Sequence, residues 1–285
     1  MSNLHGKVVL VTGGTGGIGK VTARELARQG ARVTIIGRDP HKTATVLEEL
    51  RQSSGDGHLE GLVGDLSRMS EVRRMAELFT QRHARLDVLI NNAGALFGQR
   101  EVSAEGHEMT WALNHLAPFL LTHLLRDLLT STPGARVVNV SSEAHRLGRV
   151  RFDDLEGQRH YSAWRAYNQS KLANLLFTRE LSRRLLPQGV TVNALHPGLV
   201  NSGFGKGAGG DPLMRLLAPF SITPEQGALS SVYLASSADV ARVSGRYFVR
   251  ERPVRPAPQA QDDRAARRLW QISARMVGLE ASGDA

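Results

Sequence analysis

Short apolar runs alternate with amphipathic stretches along most of the chain, and a glycine-rich turn joins the first run to the first helix. The run is Val8–Val11, the turn is Thr12-Gly13-Gly14-Thr15-Gly16-Gly17-Ile18-Gly19, and the helical spacing of Val21–Gln29 stops at Gly30. This order leaves few folds open. Strands separated by helices pair in parallel, because only a long crossover carries the chain back to the starting end of the sheet. Further strands are expected over Val33–Ile36, His58–Val63, Val88–Ile90, Arg136–Val140, Val190–Leu195 and Gly245–Val249, about seven in all. Helices are expected over His41–Gln52, Ser70–Arg82, Glu105–Leu129, Ala163–Leu186 and Pro224–Leu234. The pattern predicts an α/β architecture, an open doubly wound parallel sheet with helices on both faces. Right-handed crossovers then place ligands at the carboxyl ends of the strands.

Composition removes several classes of function. With 285 residues and 41% hydrophobic content the chain buries a sizeable core, so wholesale disorder is excluded. There is no cysteine, which excludes disulfides, thiolate metal sites and cysteine nucleophiles. The net charge of +9 invites an anionic partner: nucleic acid, a membrane surface or a phosphorylated ligand. A solvated, arginine-rich surface explains the same number. No basic cluster with interleaved aromatics stands out, so no nucleic-acid partner is expected. His115 and His123 are too far apart on one helix to share a metal, and no metal site is expected. The most apolar run, Leu116 to Leu129, is broken by Pro118, His123, Arg126 and Asp127, so no membrane span is expected. Met1 to Lys7 is polar and carries no signal-peptide pattern, and the protein is expected to be soluble and cytoplasmic.

Four motifs fall at expected strand ends or on a helix. The glycine-rich turn lets the backbone approach a pyrophosphate, and the following helix supplies free amides and positive potential. Its spacing differs from the common G-x-G-x-x-G. At the end of the second strand stands Ile36-Gly37-Arg38-Asp39. An acid there contacts the ribose 2′-hydroxyl of NAD, whereas an arginine accommodates the 2′-phosphate of NADP. Gly37 leaves room and Arg38 supplies a fork-shaped cation, while Asp39 complicates the reading by one residue. Tyr167 and Lys171 lie one turn apart on one helix face. A neighbouring ammonium favours phenolate, which would lower the tyrosine pKa and suit it to proton transfer. Asn139-Val140-Ser141-Ser142 ends a buried strand, where a serine hydroxyl either meets a substrate carbonyl or caps a turn.

In this order the motifs resemble those of the short-chain dehydrogenase/reductase family in its single-domain form, from about residue 6 to 249. They are Thr12-Gly13 … Gly17-Ile18-Gly19, Asp65, Asn91-Asn92-Ala93-Gly94, Asn114, Ser142, Tyr167 … Lys171 and Pro197-Gly198. A narrower similarity is to retinol-dehydrogenase-like members. It rests on Phe152-Asp153-Asp154-Leu155, Ala166 to Asn174, His196-Pro197-Gly198 and Arg268-Leu269-Trp270. The resemblance implies a Rossmann-type sheet, a nicotinamide cofactor, and hydride transfer between it and a carbonyl or alcohol substrate. It implies Tyr167 as general acid/base, and Lys171 as a hold on the nicotinamide ribose that lowers the tyrosine pKa. Ser142, matching the second serine of the family's pair, would orient the substrate carbonyl. Asn114 would hold a water and kink its helix locally. Gly13, Thr15, Gly17, Ile18 and Gly19 would take the pyrophosphate. Asp65 and Leu66 would contact the adenine, and Asn92, Ala93 and Gly94 the adenosine side. Pro197, Gly198, Val200 and Ser202 would face the nicotinamide amide. Gly37 lacks the family's usual acid, so with Arg38 the preference is for NADP(H) over NAD(H).

Residues 1–250 are thus expected to form one dinucleotide-binding and catalytic domain with a substrate loop at about 200–220. Residues 251–285 would add a proline-rich stretch and the helix Asp262–Met276, docked through Leu269, Ile272 and Met276. The glycines at 203, 205, 207, 209 and 210 suggest that Ser202 to Leu217 is a lid; disorder without function is the other reading. The substrate is a small molecule, expected to be apolar, and a homo-oligomer is possible. A nucleotide-sensing regulator with the same fold and no turnover is the alternative; the intact Asn114, Ser142, Tyr167 and Lys171 argue against it.

Overall fold

The computed structural model describes residues 4–55, 58–199 and 221–279. The chain alternates from its start: β1 (Val8–Thr12), α1 (Gly17–Arg28), β2 (Arg32–Gly37), α2 (Pro40–Ser54), β3 (Leu59–Val63), α3 (Met69–Arg82) and β4 (Val88–Asn91). The second half supplies β5 (Arg136–Val140), β6 (Thr191–His196), β7 (Tyr247–Val249) and β8 (Arg252–Val254). They form one sheet in the order β3-β2-β1-β4-β5-β6-β7-β8. Every pairing is parallel except β7 with β8, which is antiparallel. The order reverses between β1 and β4, the crevice where such sheets bind ligands.

Burial follows from the sheet lying between two helix layers. All five β1 residues are buried, as a strand covered on both faces requires. Side-chain alternation divides β1 between two cores. Val9 and Val11 pack with α1 residues Ala23 and Leu26, while Val8 and Leu10 join Phe79 of α3 and Leu172 and Leu176 of the helix Ala163–Leu185.

Three expectations need correction. The region Glu105–Leu129 is not one helix. A bridge joins Val102 to Glu108, and the Glu108 carboxylate caps α4 (Met109–Trp111) by accepting the amides of Thr110 and Trp111, each at 2.8 Å. A π-helical turn, Ala112–Leu116, follows, then α5 (Ala117–Leu124) and α6 (Arg126–Ser131). The first helix starts at Gly17 rather than Val21, so the glycine turn runs directly into it. The sheet has eight strands, because the proline-rich stretch supplies β8; Pro253, without an N–H, is tolerated on an edge strand. The remaining helices are α7 (Ala163–Leu185), α8 (Pro224–Ser236) and α9 (Asp263–Met276). Trp270 of α9 stacks on Phe177 of α7 with ring centroids 6.0 Å apart.

Asp87 anchors the start of β4 to the start of β1. Its carboxylate accepts the Val8 amide at 2.9 Å, holds Arg85 by two contacts of 2.6 and 2.8 Å, and lies 3.0 Å from Lys7 Nζ. Burial pushes this carboxyl up, but Arg85, the Val8 amide and Lys7 together hold it below the usual carboxylate range. Asp87→Ala is expected to cost about 1.5–3 kcal/mol of stability at neutral pH. A carboxyl depressed in the folded state stabilises above its unfolded pKa and loses that contribution as pH falls through the folded one. Denaturant titrations should therefore show the gap between wild type and variant constant at pH 6–8 and narrowing below about pH 4. A gap that is unchanged in acid would remove the charge from this explanation.

Candidate active site

The carboxyl ends of β1 and β4 are stapled together. The Thr12 hydroxyl donates to the Ile90 carbonyl at 3.3 Å and accepts the amides of Asn92 and Ala93 at 2.9 and 3.0 Å. Asn92 Nδ2 returns hydrogen bonds to the Thr12 and Gly13 carbonyls. The turn that leaves β1 demands its glycines. Gly13 sits at φ +66°, and a Cβ on Gly14 would lie 2.6 Å from Ile35. A Cβ on Gly19 would run into the Gly13 carbonyl and the Asn92 amide. Gly16 is the α1 N-cap and offers no side chain, so no cap occupies the first-turn amides of Gly17, Ile18 and Gly19. A small cavity opens beside this turn, lined by Thr12, Leu66, Asn91, Ala93 and Leu113 among others. An open helix N-terminus at the mouth of such a crevice fits the pyrophosphate of a dinucleotide, held on the free amides.

The end of β2 corrects one expectation and clarifies another. Gly37 leaves no room: a Cβ there would collide with Thr15 Cγ2 and Thr43 Oγ1. Gly37→Asp, the obvious way to install an acid, is accordingly expected to lower the melting temperature by several degrees without creating an NAD-preferring protein. A variant that melts like wild type and gains NADH affinity would contradict this packing argument. Asp39 is the N-cap of α2, and its Oδ1 accepts the Lys42 amide at 2.8 Å. Arg38 is exposed and makes no hydrogen bond or ion pair among the described residues. Lys42, which sequence reading passed over, brings Nζ within 3.5 Å of where a Gly16 side chain would begin. The cue was available: Lys42 stands one turn after Arg38, on the first turn of a helix capped by Asp39.

Across the crevice, Tyr167 and Lys171 of α7 meet the end of β5. Both are nearly buried, at 8% and 5% exposure. Lys171 Nζ donates to the Val140 carbonyl at 3.1 Å and lies 5.5 Å from the centroid of the Tyr167 ring. The Tyr167 hydroxyl faces the Ser142 side chain, which favours its phenolate form. Ser142 also caps the short 3-10 turn Glu143–Leu147, its Oγ accepting the Ala144 amide at 3.2 Å. Capping and site roles therefore coexist in one hydroxyl, because the accepted N–H leaves the serine proton free to donate. Ser141 points elsewhere, donating to the Lys171 carbonyl at 2.8 Å and fixing α7 to β5.

The expected lowering of the tyrosine pKa is not found. Burial pushes the Tyr167 phenol up to about 12 against the hydrogen bond from Ser142. Burial likewise pushes the Lys171 ammonium down to about 8. Desolvation of each charged form outweighs any attraction between them. The phenol is thus protonated at neutral pH, the state in which it donates a proton.

Asn114 lies in the π-helical turn, which is where its helix departs from regular α geometry. Its amide accepts the Ala95 amide and donates to the Ala95 carbonyl, both at 2.9 Å, and donates to Ser170 Oγ at 3.0 Å. Gly94, between them, faces both partners: a Cβ there would be 3.2 Å from Asn114 Oδ1 and 3.5 Å from Lys171 Nζ. Asp65, half-buried after β3, accepts the Ser67 amide and hydroxyl through Oδ1. Pro197 and Gly198 follow β6, with Gly198 at φ +97° against Ile222. Val200, Ser202 and the proposed lid Ser202–Leu217 lie outside the described residues. Among the described residues no helix is long and apolar enough to cross a membrane, and no cluster of His, Asp or Glu has metal-binding form. Trp111 is buried against His115, with ring centroids 4.4 Å apart.

Comparison with known proteins agrees with this geometry. Residues 7–211 match the profile of the short chain dehydrogenase family. Retinol dehydrogenase 13 of Homo sapiens is 43% identical over 291 residues, covering 98% of this chain and 87% of the relative. Retinol dehydrogenase 14 of Mus musculus is also 43% identical, covering 97% and 87%. Among solved structures, an uncharacterised protein from Mycobacterium Paratuberculosis superposes with a TM-score of 0.80 at 34% identity, over 98% of this chain and 96% of the other. The Pseudomonas aeruginosa RhlG/NADP active-site complex superposes at 0.69 with 31% identity, over 86% and 95%.

Proposed function

Because the chain belongs to the short-chain dehydrogenase family, oxidoreductases that act on alcohol and carbonyl groups, we propose that it moves a hydride between NADP(H) and an apolar carbonyl or alcohol. The observation that carries the reading is the grouping of Ser142, Tyr167 and Lys171 at the end of β5, facing the glycine turn across the crevice. The bound nicotinamide supplies the hydride in the reducing direction. Ser142 and Tyr167 hydrogen-bond the carbonyl oxygen and draw charge toward it. As the carbon is reduced, Tyr167 passes its phenolic proton to that oxygen, and Lys171 stabilises the phenolate left behind. Asn114 holds the Gly94–Ala95 loop and α7 at a fixed distance, and in this reading also a water through which the phenolate recovers its proton. Gly13, Thr15, Gly17, Ile18 and Gly19 bind the pyrophosphate, Asp65 and Leu66 the adenine, and Pro197, Gly198, Val200 and Ser202 the nicotinamide end.

The preference for NADP(H) rests on Arg38, exposed and unpaired among the described residues, with Lys42 beside the turn. It is supported by the NADP held by the Pseudomonas aeruginosa relative. The similarity to retinol dehydrogenases makes retinaldehyde and retinol the first probes. The test is a panel of aldehydes, ketones and alcohols with both cofactors, followed by absorbance of the reduced nicotinamide. Consumption of NADPH with at least one apolar carbonyl supports the reading. Tight NADPH binding with no turnover across the panel would favour a nucleotide sensor.

A further inference from the structure

The Ser142 turn is fixed from below by a residue outside the catalytic set. His145 is fully buried, and its two ring nitrogens face partners of opposite kind. Nε2 lies 3.1 Å from the Ala257 amide, which only donates. Nδ1 lies 2.7 Å from the Ser142 carbonyl, which only accepts. A neutral imidazole satisfies both in one way: the lone pair on Nε2 and the proton on Nδ1. The ring thus spans from the segment after β8 to the backbone of the residue whose hydroxyl meets Tyr167. Around it the same two segments are joined again. Gln259 Nε2 donates to the Arg146 carbonyl at 3.0 Å, and Arg146 donates to the Arg255 carbonyl at 3.4 Å. Glu143 accepts the Tyr247 hydroxyl at 2.8 Å, and the Tyr247 ring packs edge-on against His145 at 5.0 Å.

We propose that His145 is a positioning residue: as the Nδ1-protonated tautomer it registers the segment around Ala257 and holds Ser142 in line with Tyr167. The proposal rests on the carbonyl-reducing role of Ser142 for its kinetic consequence, but not for the tautomer. Ser142 keeps its backbone bond from the His145 amide at 3.1 Å, so the turn itself survives without the ring. What the ring adds is a second donor on the same carbonyl, tied to a segment 112 residues away. A small displacement of a group that orients substrate costs rate out of proportion to its size.

Two measurements test this on the full-length protein. The first is long-range proton–nitrogen NMR of protein with labelled histidines, assigned by comparison with a His145→Gln sample. It should show His145 protonated on Nδ1 at neutral pH; a proton on Nε2 overturns the proposal whatever the enzyme does. The second compares variants with retinaldehyde, or the best carbonyl of the panel, at saturating NADPH. Asn places its amide near the Nδ1 position, and Gln near Nε2. His145→Ala and His145→Gln should lose kcat roughly ten- to a hundredfold, and His145→Asn should recover most of that loss. NADPH affinity, read by fluorescence quenching, should stay within about twofold of wild type throughout, because the ring's two hydrogen bonds go to Ser142 and Ala257; in a Ser142→Ala background His145→Ala should cost little more. Parallel loss of NADPH affinity and kcat in all variants, an Asn variant no better than Ala, or full additivity with Ser142→Ala would overturn the proposal. If His145→Ala does not fold, the Asn and Gln pair decides alone. A wild type with no turnover on any carbonyl refutes the proposed function instead, and leaves the NMR result standing.

Discussion

Tyr167→Phe is expected to fold, bind NADPH as wild type does, and lose turnover by about two to four orders of magnitude, the usual contribution of a positioned acid/base. The ring stays, so its packing against Trp164, edge-on at 6.1 Å, is retained. Only the hydroxyl that faces Ser142 is removed. Unchanged melting temperature and NADPH affinity would separate lost chemistry from lost structure. The protonation states add a second signature. With the phenol pushed up to about 12 and the lysine down to about 8, the free enzyme holds a proton donor across neutral pH but keeps the ammonium only below about 8. Reductive kcat/KM should therefore be level near pH 7 and fall as pH rises past about 8. A Phe variant within a few-fold of wild type would exclude Tyr167 as the proton donor.

Arg38→Ala carries the second large effect. A charge-assisted contact to a 2′-phosphate contributes about 1.5–3 kcal/mol, roughly ten- to a hundredfold in affinity. The variant should lose that factor for NADPH and change little for NADH, which has no phosphate there. Arg38 makes no hydrogen bond or ion pair among the described residues, so folding stability should not move. Equal weakening of both cofactors, or a wild type that prefers NADH, would refute the assignment.

These sites differ in how far the sequence discloses them. The glycine turn and the Tyr167–Lys171 pair were legible because their physics is local: a turn that admits no Cβ, and two side chains one helical turn apart. The π-helical turn at Ala112–Leu116 has apolar spacing that reads as ordinary helix, and only the resemblance, which implies a local kink at Asn114, points to it. In the structure its fixed contacts with Ala95 and Ser170 mark the difference. The strand β8 was hidden by its length and by Pro253; it forms because β7 offers an edge. At Gly37 the sequence shows the residue but not its cause, because the side chains that fill the space come from Thr15 and Thr43. The Tyr167 pKa failed for a related reason: spacing reveals the ammonium but not the burial that outweighs it. His145 and Ala257 meet across 112 residues with no motif to announce them.

The central claim is hydride transfer from NADPH to a carbonyl carbon with the proton supplied by Tyr167. Its most direct test uses NADPH deuterated at nicotinamide C4 on the transferred face, with retinaldehyde or the best carbonyl of the panel, and mass spectrometry of the product. Both C4 isotopomers are run, since the face is not assumed. The account expects one isotopomer to deliver a single deuterium to the carbinol carbon in wild type, and Tyr167→Phe to deliver almost none in the same time. An alcohol product that carries no deuterium from either isotopomer, or equal labelling by the Phe variant, would contradict it.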